Sequence, residues 1–286
     1  MVALESTIVA HGFPRPYNLE VGRALEATVE REGATPATIA IVDGEVHVGL
    51  GDDEMERLAL DEDFAKASIP DLSVVVGMRQ SAATTVASTA YIAHAAGIRV
   101  FATGGIGGVH RGAGRTLDIS ADLAVLGRVP IAVVSAGAKA ILDLGLTLEV
   151  LETQGVPVVG FGCDTFPAFY TRGSEHALVA RVDDVDDLAR VVSAQWELGQ
   201  QQAVLVCNPV PEADALASDE VEGWIRTALA EAAAGGIRGK AMTPFLLHQL
   251  YGLSGGRTLK TNRALAEHNA ALGAALARTL IRQAAA

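Results

Sequence analysis

The sequence predicts an α/β fold in which helices pack on a mainly parallel central sheet with one mixed edge. Apolar, β-branched runs typical of buried strands alternate along the chain with longer amphipathic stretches typical of helices. Asp43-Gly44 stands between two β-like runs and is a strong hairpin signal, which indicates an antiparallel pair. The 286 residues, 50% of them hydrophobic, can bury a substantial core, and we predict a single domain over residues 1–286.

The individual elements follow from local patterns in chain order. The chain opens with an apolar run, and the amphipathic helix after it ends at Gly33. Acidic residues at 52–54 favour the start of another helix, because negative charge stabilises a helix N-terminus. The predicted strands are 2–10, the hairpin 37–50, 98–103, 131–135, 156–161 and 203–209. The predicted helices are 18–33, 52–66, 83–97, 139–154, 184–199, 218–234, 243–253 and 258–284.

Charge, hydropathy and cysteine usage argue against several classes of protein. The net charge of −12 disfavours duplex nucleic acid as a partner, because phosphate binding needs a basic surface. No apolar run reaches the roughly 20 residues of a membrane span, and no signal segment leads the chain. Cys163 and Cys207 make neither a disulfide framework nor a metal cluster, which indicates a reducing compartment. We therefore expect a soluble cytoplasmic protein.

Lysine is rare in this chain, which makes its positions informative. Among the 22 Lys and Arg residues the lysines are Lys66, Lys139, Lys240 and Lys260. A lysine can lose its proton and attack a carbonyl, whereas an arginine stays charged. Lys139 follows the strand 131–135 and, by its pattern, begins a helix, so the helix dipole and neighbouring alanines would lower its pKa. The alternative interpretation is an ion pair with Asp143, one helical turn further on.

Two further segments reach the strand ends where α/β proteins bind ligands. A buried carboxyl at Glu5, in the apolar run "VALEST", would have a raised pKa and could donate a proton. Alternatively, Glu5 pairs with an arginine or caps a turn. The segment "TGGIGGVHRG" (103–112) offers glycine amides, His110 and Arg111 to an oxyanion, or is only a mobile turn. It is neither a dinucleotide fingerprint, since His110 replaces the third glycine, nor a P-loop.

Asp118 and Asp122 in "LDISAD" stand four residues apart, with Ser120 between them. Two carboxylates on one helix face suit Mg²⁺ or Mn²⁺ held largely through water. The alternative is Asp118 as a helix N-cap with Asp122 in an acidic first turn. The seven His residues show no zinc-binding spacing. On position alone, Lys66 would be a solvated cation at a helix end, and Asn262 would cap a helix.

Together these segments resemble the pseudouridine-5′-phosphate glycosidase family, also called the indigoidine synthase A-like family. The resemblance runs in order over nearly the whole chain, which makes it far more specific than a single motif. The matching stretches are "ALESTIVAHGFPRPYNLE", "PATIAIVDGEVHVGL", "KAS", "ATTVAST", "AGIRVFATGGIGGVHRGAGRTLDISADL", "SAGAKAILDLGLTLEVLETQGVPVVGF", "FPAFYTR", "NPVPE", "TPFLL" and "TNRAL".

The resemblance implies an activity, a fold and a set of site residues. Family members reversibly cleave the C–C bond between uracil C5 and ribose C1′ of pseudouridine 5′-phosphate, giving uracil and ribose 5-phosphate. The implied fold is a three-layer α/β/α arrangement, the implied assembly a homotrimer, and the implied cofactor a divalent cation, typically Mn²⁺ or else Mg²⁺. Carried onto this sequence, Lys139 is the nucleophile that forms a Schiff base with ring-opened ribose, Glu5 the proton donor and Asp118 the metal ligand. The implied substrate contacts, with His110 added from the glycine-rich segment, are Lys66, Val86, His110, Ser120, Ala121, Asp122 and Asn262.

Two other functions are compatible with the residues. One is a different Schiff-base lyase acting on a phosphosugar, such as an aldolase, which would be indifferent to pseudouridine 5′-phosphate. The other is a nucleotide-binding or sensor module in which the glycine-rich segment only holds phosphate. Family members usually carry a further segment ahead of "VALEST", so a native segment before Met1 stays open. The expected partners are small-molecule substrates, with neither nucleic acid nor a membrane.

Overall fold

A ten-stranded mixed sheet forms the central layer of the protein. The computed structural model describes residues 1–237, 239 and 242–285, so Lys240 lies outside the described residues. The strands are β1 (Val2–Glu5), β2 (Pro36–Val42), β3 (Glu45–Val48), β4 (Ala65–Ala67), β5 (Ala82–Thr84), β6 (Val100–Ala102), β7 (Val109–His110), β8 (Ala132–Ser135), β9 (Leu142–Asp143), β10 (Val158–Phe161), β11 (Ala180–Val182) and β12 (Val204–Cys207). β7 and β9 pair separately, as a small two-stranded sheet.

Helices of very different length connect these strands. They are α1 (Thr7–Gly12), α2 (Tyr17–Arg31), α3 (Asp52–Leu60), α4 (Leu72–Gly77), α5 (Val86–Ala95), α6 (Ala113–Thr116), α7 (Ala121–Leu126), α8 (Leu144–Thr153), α9 (Val185–Glu197), α10 (Ser218–Ala234), α11 (Met242–Leu253) and α12 (Arg257–Ala284). In the described part of the chain, none of the helices combines the length and apolarity that crossing a membrane requires.

The strand order confirms the predicted mainly parallel sheet with a mixed edge. Along the order β11-β10-β12-β8-β6-β1-β2, every neighbouring pair is parallel. The hairpin predicted at Asp43-Gly44 joins β2 and β3 as an antiparallel pair, and both turn residues have positive φ, as such a tight turn needs. β5 also runs antiparallel to β2, with β4 beside it.

Helices cover both faces of the sheet, which confirms the three-layer α/β/α architecture. α2, α9 and α12 pack on one face, while α5, α7 and α8 lie on the other. Because both faces are covered, a central strand must be apolar on both sides. β8 meets this requirement, since all four of its residues are buried.

Two predicted elements are wrong at the positions that matter for chemistry. The first strand stops at Glu5 instead of continuing to residue 10, because the carbonyl of Ser6 accepts N–H bonds from Val9 and Ala10 and so begins α1. The helix predicted from residue 139 begins only at Leu144. Residues 136–141 form a loop instead, because they bond to a distant part of the chain.

Candidate active site

The ends of several strands meet at one edge of the sheet and create the candidate site. β1 ends with Glu5, β6 is followed directly by Thr103, and β8 leads into the loop that carries Lys139. These three strands are parallel neighbours, so their carboxyl ends lie together, where α/β proteins commonly bind ligands. β5 arrives from the opposite direction, pairing with Ala40 just beyond the point where Glu5 pairs with Ile39.

A two-part cavity opens at this edge. The larger part, here called the outer part, has a volume of about 320 Å³, and a smaller part that adjoins it, here called the inner chamber, adds about 70 Å³. Glu5, Lys66 and Lys139 line both parts. The other predicted residues on the outer wall are Val86, His110, Asp118, Ser120 and Asp122, while Asn262 lines the inner chamber. Ala121 is the first residue of α7, next to this wall.

The loop that carries Lys139 is held in place by the glycine-rich segment. The N–H of Ile106 donates to the carbonyl of Gly137 at 3.0 Å, and the N–H of Lys139 donates to the carbonyl of Ile106 at 3.1 Å. Gly137 has φ +77°, and a side chain there would bring Cβ within 2.1 Å of the Pro167 oxygen, so only glycine fits. Lys139 therefore sits on a braced loop, and the helix-dipole argument made from the sequence does not apply to it.

The alternative role for Lys139, an ion pair with Asp143, also loses its basis. The Asp143 carboxylate caps α8 instead, accepting the N–H of Leu146 at 3.0 Å. Lys139 is half-buried, and its positive charge acts on the pKa of both Glu5 and His110. The ammonium group thus faces the cavity rather than bulk solvent.

Glu5 is a buried carboxyl with one hydrogen-bond donor beside it. Only 6% of the residue is exposed, and the Thr103 hydroxyl donates to Oε1. Burial raises the pKa of Glu5, and the positive charge of Lys139 and the Thr103 hydrogen bond oppose that rise. The raised pKa expected from the sequence is confirmed. The partner of Glu5 is a hydroxyl, not the arginine of the alternative interpretation.

The glycine-rich segment is closely packed and not a mobile turn. A Cβ on Gly107 would lie 2.3 Å from Ser120 Oγ, and a Cβ on Gly108 would lie 2.4 Å from Thr147 Oγ1. Several of its amides already have protein partners; for example, the N–H of Val109 donates to Thr147 Oγ1 at 3.0 Å and the N–H of Gly107 donates to Asp122 Oδ2 at 2.7 Å. Arg111 points elsewhere and forms a bidentate ion pair with Glu222 at 2.7 and 2.9 Å. Of the two side chains that the sequence offers to an oxyanion, His110 therefore lies on the cavity wall and Arg111 does not.

The two aspartates do not share a helix face. Asp118 precedes α7 in a non-helical segment, and Ser120 is the N-cap, accepting the N–H of Asp122 at 3.2 Å. The Asp122 carboxylate is buried and accepts two backbone N–H groups, from Ala87 at 2.8 Å and from Gly107 at 2.7 Å. The paired-carboxylate interpretation is therefore wrong, because the Asp122 carboxylate holds two segments of the wall together. Of its alternative, Asp118 as N-cap is wrong, whereas Asp122 in an acidic first turn is confirmed.

The donor set limits which metal could bind. Among the described residues, no group of three or more His, Cys, Asp or Glu side chains could hold an ion. Asp118 is half-buried on the cavity wall near His110, and its charge opposes the lowering of the His110 pKa by burial. One carboxylate fits a hard cation that keeps most of its water and binds substrate oxygens. It does not fit a site whose ligands all come from the protein.

The structure also corrects the positions of two substrate-contact candidates. Lys66 lies on β4 and is half-buried, so it is not a solvated helix end. Asn262 lies in the second turn of α12, which begins at Arg257, so it is not a cap. Its Oδ1 is buried and, among the described residues, has no hydrogen-bond partner. Such an acceptor is costly unless something in the chamber donates to it.

Among the residues that sequence reasoning missed are two of the cavity wall, His11 and Phe169, and the hydrogen-bond donor to Glu5, Thr103. Thr103 could have been found, since it directly follows a buried strand at the same edge as Glu5. His11 directly follows the overlong predicted strand 2–10, and it lines the inner chamber from α1. Phe169 reaches the chamber from a loop far away in sequence, and no local signal marks it.

Comparison with known proteins gives consistent matches over the chain. The family described as "Indigoidine synthase A like protein" matches residues 1–279. A relative from Nocardioides sp., named pseudouridine-5′-phosphate glycosidase, is 52% identical over 278 residues, covering 97% of this chain and 91% of the relative. A relative of the same name from Deinococcus radiodurans is 54% identical over 277 residues, covering 97% and 88%.

Solved structures match equally broadly. The crystal structure of the prealnumycin C-glycosynthase AlnA in complex with ribulose 5-phosphate superposes with a TM-score of 0.92 at 40% identity, covering 100% of this chain and 93% of that one. An indigoidine synthase A-like protein from Thermotoga maritima superposes with a TM-score of 0.90 at 35% identity, covering 96% and 91%.

Proposed function

The chain belongs to the indigoidine synthase A-like family, and from this premise we propose that it is a pseudouridine-5′-phosphate glycosidase. It would reversibly cleave pseudouridine 5′-phosphate to uracil and ribose 5-phosphate. The observation that carries the proposal is that Glu5 and Lys139 line one cavity at the carboxyl edge of the sheet. Relatives with the corresponding name support the substrate, and a phosphosugar in the AlnA structure supports the ligand class.

The chemistry explains why an amine and an acid are needed together. The bond to be broken joins two carbons, so no leaving heteroatom can be protonated, as it is in ordinary glycosidases. The C1′–O4′ bond of the sugar ring would break with its electron pair going to O4′, which takes up a proton, and Lys139 Nζ, after losing a proton, would add to C1′ in its place. Glu5 would then protonate uracil C5. As the C1′–C5 bond breaks, its electrons return to the uracil ring and the Nζ lone pair forms a C1′=N bond. Water then hydrolyses this imine and releases ribose 5-phosphate and the lysine.

The remaining wall residues would bind and orient the substrate. Lys66 supplies positive charge, while Val86 at the start of α5 and the segment Ser120–Ala121 at the start of α7 offer helix N-termini to anionic oxygens. His110 and Asn262 would contact the sugar and the base. For Asp122, the two bonds to backbone N–H groups favour a positioning role, because they fix Ala87 and Gly107.

We propose that a divalent cation, Mn²⁺ or Mg²⁺, binds at Asp118 with most of its water retained. The open carboxylate on the cavity wall supports this assignment. Such an ion would supply positive charge for the substrate's anionic oxygens. The homotrimer and the cytoplasmic location likewise remain proposals. Exposed apolar side chains at Leu117, Ile119 and Leu146 support the assembly, and two unpaired buried cysteines suit a reducing compartment.

The proposed activity is tested by incubating the protein with pseudouridine 5′-phosphate and Mn²⁺ and measuring uracil release by chromatography. We expect stoichiometric uracil and ribose 5-phosphate, and the reverse reaction from the two products. An enzyme that cleaves phosphosugars in aldolase fashion would release no uracil, and a non-catalytic binding module would release no product. Either result would refute the proposal.

Removing the Thr103 hydroxyl should shift the pH dependence of this activity. Glu5 faces Lys139, Asp122 and Lys66, and the Thr103 hydrogen bond lowers its pKa. Thr103→Val keeps the shape but loses that bond, so the pKa of Glu5 rises further. Since a proton donor works while protonated, kcat/KM falls as pH rises through this pKa. The falling limb of the kcat/KM profile should therefore move to higher pH in Thr103→Val.

Thr103→Ser is the matched control, because it keeps the hydroxyl. The falling limb of the kcat/KM profile of Thr103→Ser should lie at nearly the same pH as that of the wild type. A Thr103→Val enzyme that loses activity equally at every pH would show that Thr103 only supports the fold.

A further inference from the structure

Phe169 is held in a backbone conformation that a bulky side chain rarely adopts. Its φ is +65°, in the left-handed region that normally favours glycine. Strain of this kind persists where the surroundings fix it, and it concentrates at functional sites. Phe169 is only 3% exposed and lines the inner chamber together with Glu5 and Lys139.

Neighbouring groups determine where the Phe169 ring lies. Its backbone N–H donates to the carbonyl of Ala136 at 3.1 Å, which ties it to the loop that carries Lys139. A Cβ on Gly105 would lie 2.6 Å from Phe169 Cδ2, so the absence of a side chain there makes room for the ring. On another side, the Tyr170 ring packs edge-on, with centroids 4.8 Å apart and planes at 81°. The ring is fixed in spite of its backbone strain.

The chemistry indicates what must lie against this ring. Under the proposed function, on which this inference rests, Glu5 has to reach C5 of the base while Lys139 reaches C1′ of the sugar. Both residues line the inner chamber as well as the outer part, so a base placed in the inner chamber would lie between them and the Phe169 ring. The chamber is small, at about 70 Å³, and Phe169 is the aromatic side chain among its described lining residues.

We propose that Phe169 is the stacking platform for the base and selects planar heteroaromatic rings as the leaving group. An aromatic face binds a flat base largely without regard to its hydrogen-bonding pattern. Asn262, whose buried Oδ1 accepts no bond from the described residues, adds an acceptor in the same chamber. Phe169 would thus orient the ring plane of the base, and the strain in its backbone is the cost of placing the aromatic ring there.

The test measures product inhibition by uracil and by ribose 5-phosphate separately. In Phe169→Leu, which keeps apolar volume but loses the flat ring, the inhibition constant for uracil should rise about tenfold. The constant for ribose 5-phosphate should stay within about twofold, because the sugar does not touch the ring. Phe169→His keeps a planar ring and tolerates positive φ better, so it should weaken uracil inhibition less than Leu does. Uracil titration by calorimetry, with ribose 5-phosphate present, gives the same comparison if a variant turns over too slowly.

Phe161→Leu is the matched control, because Phe161 lies on β10 and is absent from the cavity wall. An unchanged uracil constant in Phe169→Leu would overturn the inference. A parallel rise in both constants would also overturn it, because that indicates a general structural role. If the wild type cleaves pseudouridine 5′-phosphate but Phe169→Leu leaves the inhibition constant for uracil unchanged, only the inference about Phe169 fails. If the wild type does not turn over pseudouridine 5′-phosphate, the proposed function fails and the inference with it.

Discussion

Lys139→Ala is expected to lower turnover of pseudouridine 5′-phosphate by at least about a thousandfold, because it removes the proposed nucleophile on which the proposed covalent route depends. Lys139→Arg should be equally inactive, since a guanidinium keeps a positive charge but does not form the imine. The braced loop that carries Lys139 is held by backbone bonds to Ile106, so both variants should fold and melt like the wild type.

The covalent intermediate gives this prediction a second readout. Borohydride treatment in the presence of ribose 5-phosphate should reduce the imine and leave a stable mass adduct on the peptide containing Lys139. Lys260→Ala is the matched control, because Lys260 is exposed on α12 and pairs with Asp214 at 3.0 Å, away from the cavity. It should keep both turnover and labelling. Full turnover with an unlabelled Lys139 would refute the Schiff-base route.

Glu5→Gln is expected to lower turnover by about a hundredfold to ten-thousandfold while leaving the protein at least as stable as the wild type. The amide keeps the shape and can still accept the Thr103 hydrogen bond, but it has no proton of suitable acidity to donate. In the folded protein, burial raises the pKa of Glu5. The contribution of Glu5 to the free energy of unfolding is therefore highest at low pH, where Glu5 is protonated, and it falls as pH rises through that pKa. Gln removes this dependence, so the melting temperature should rise most on the alkaline side.

Glu26→Gln is a close control for that experiment. Glu26 also has a pKa raised by burial and accepts a threonine hydroxyl, from Thr38 at 2.5 Å, but it lies on α2 and is absent from the cavity wall. It should keep full turnover. A Glu5→Gln enzyme with near-normal kcat would exclude Glu5 as the proton donor, and a large drop in melting temperature would mean that Glu5 mainly supports the fold.

Residues directly attached to strand ends could be predicted well from the sequence. Glu5 and Lys139 were singled out because unusual ionisable groups stood at the ends of apolar runs, and parallel strands bring such ends together. The architecture followed from the same alternation of strands and helices. Local patterns therefore suffice wherever the function depends on which edge of the sheet a residue reaches.

Features set by contacts between distant segments could not be predicted. The start of α8 was placed five residues early because nothing local reveals that the Lys139 loop pairs with Ile106. The sequence suggests a ligand role for Asp122, because the two backbone N–H groups that its carboxylate binds come from elsewhere in the chain and leave no local signal. Phe169 carries no local signal, because the place of its ring depends on the absence of a side chain at Gly105, which is distant in the sequence.

The pairing of the Lys139 loop with the segment around Ile106 has a consequence for how binding energy is used. A lysine on a floppy loop would have to be ordered each time a substrate arrives, and this loss of entropy would be subtracted from affinity and rate. Here the loop loses this conformational entropy once, when the protein folds, and not each time a substrate binds. The backbone of Lys139, the proposed nucleophile, is then already fixed before substrate binds, and only its side-chain torsions have to be ordered.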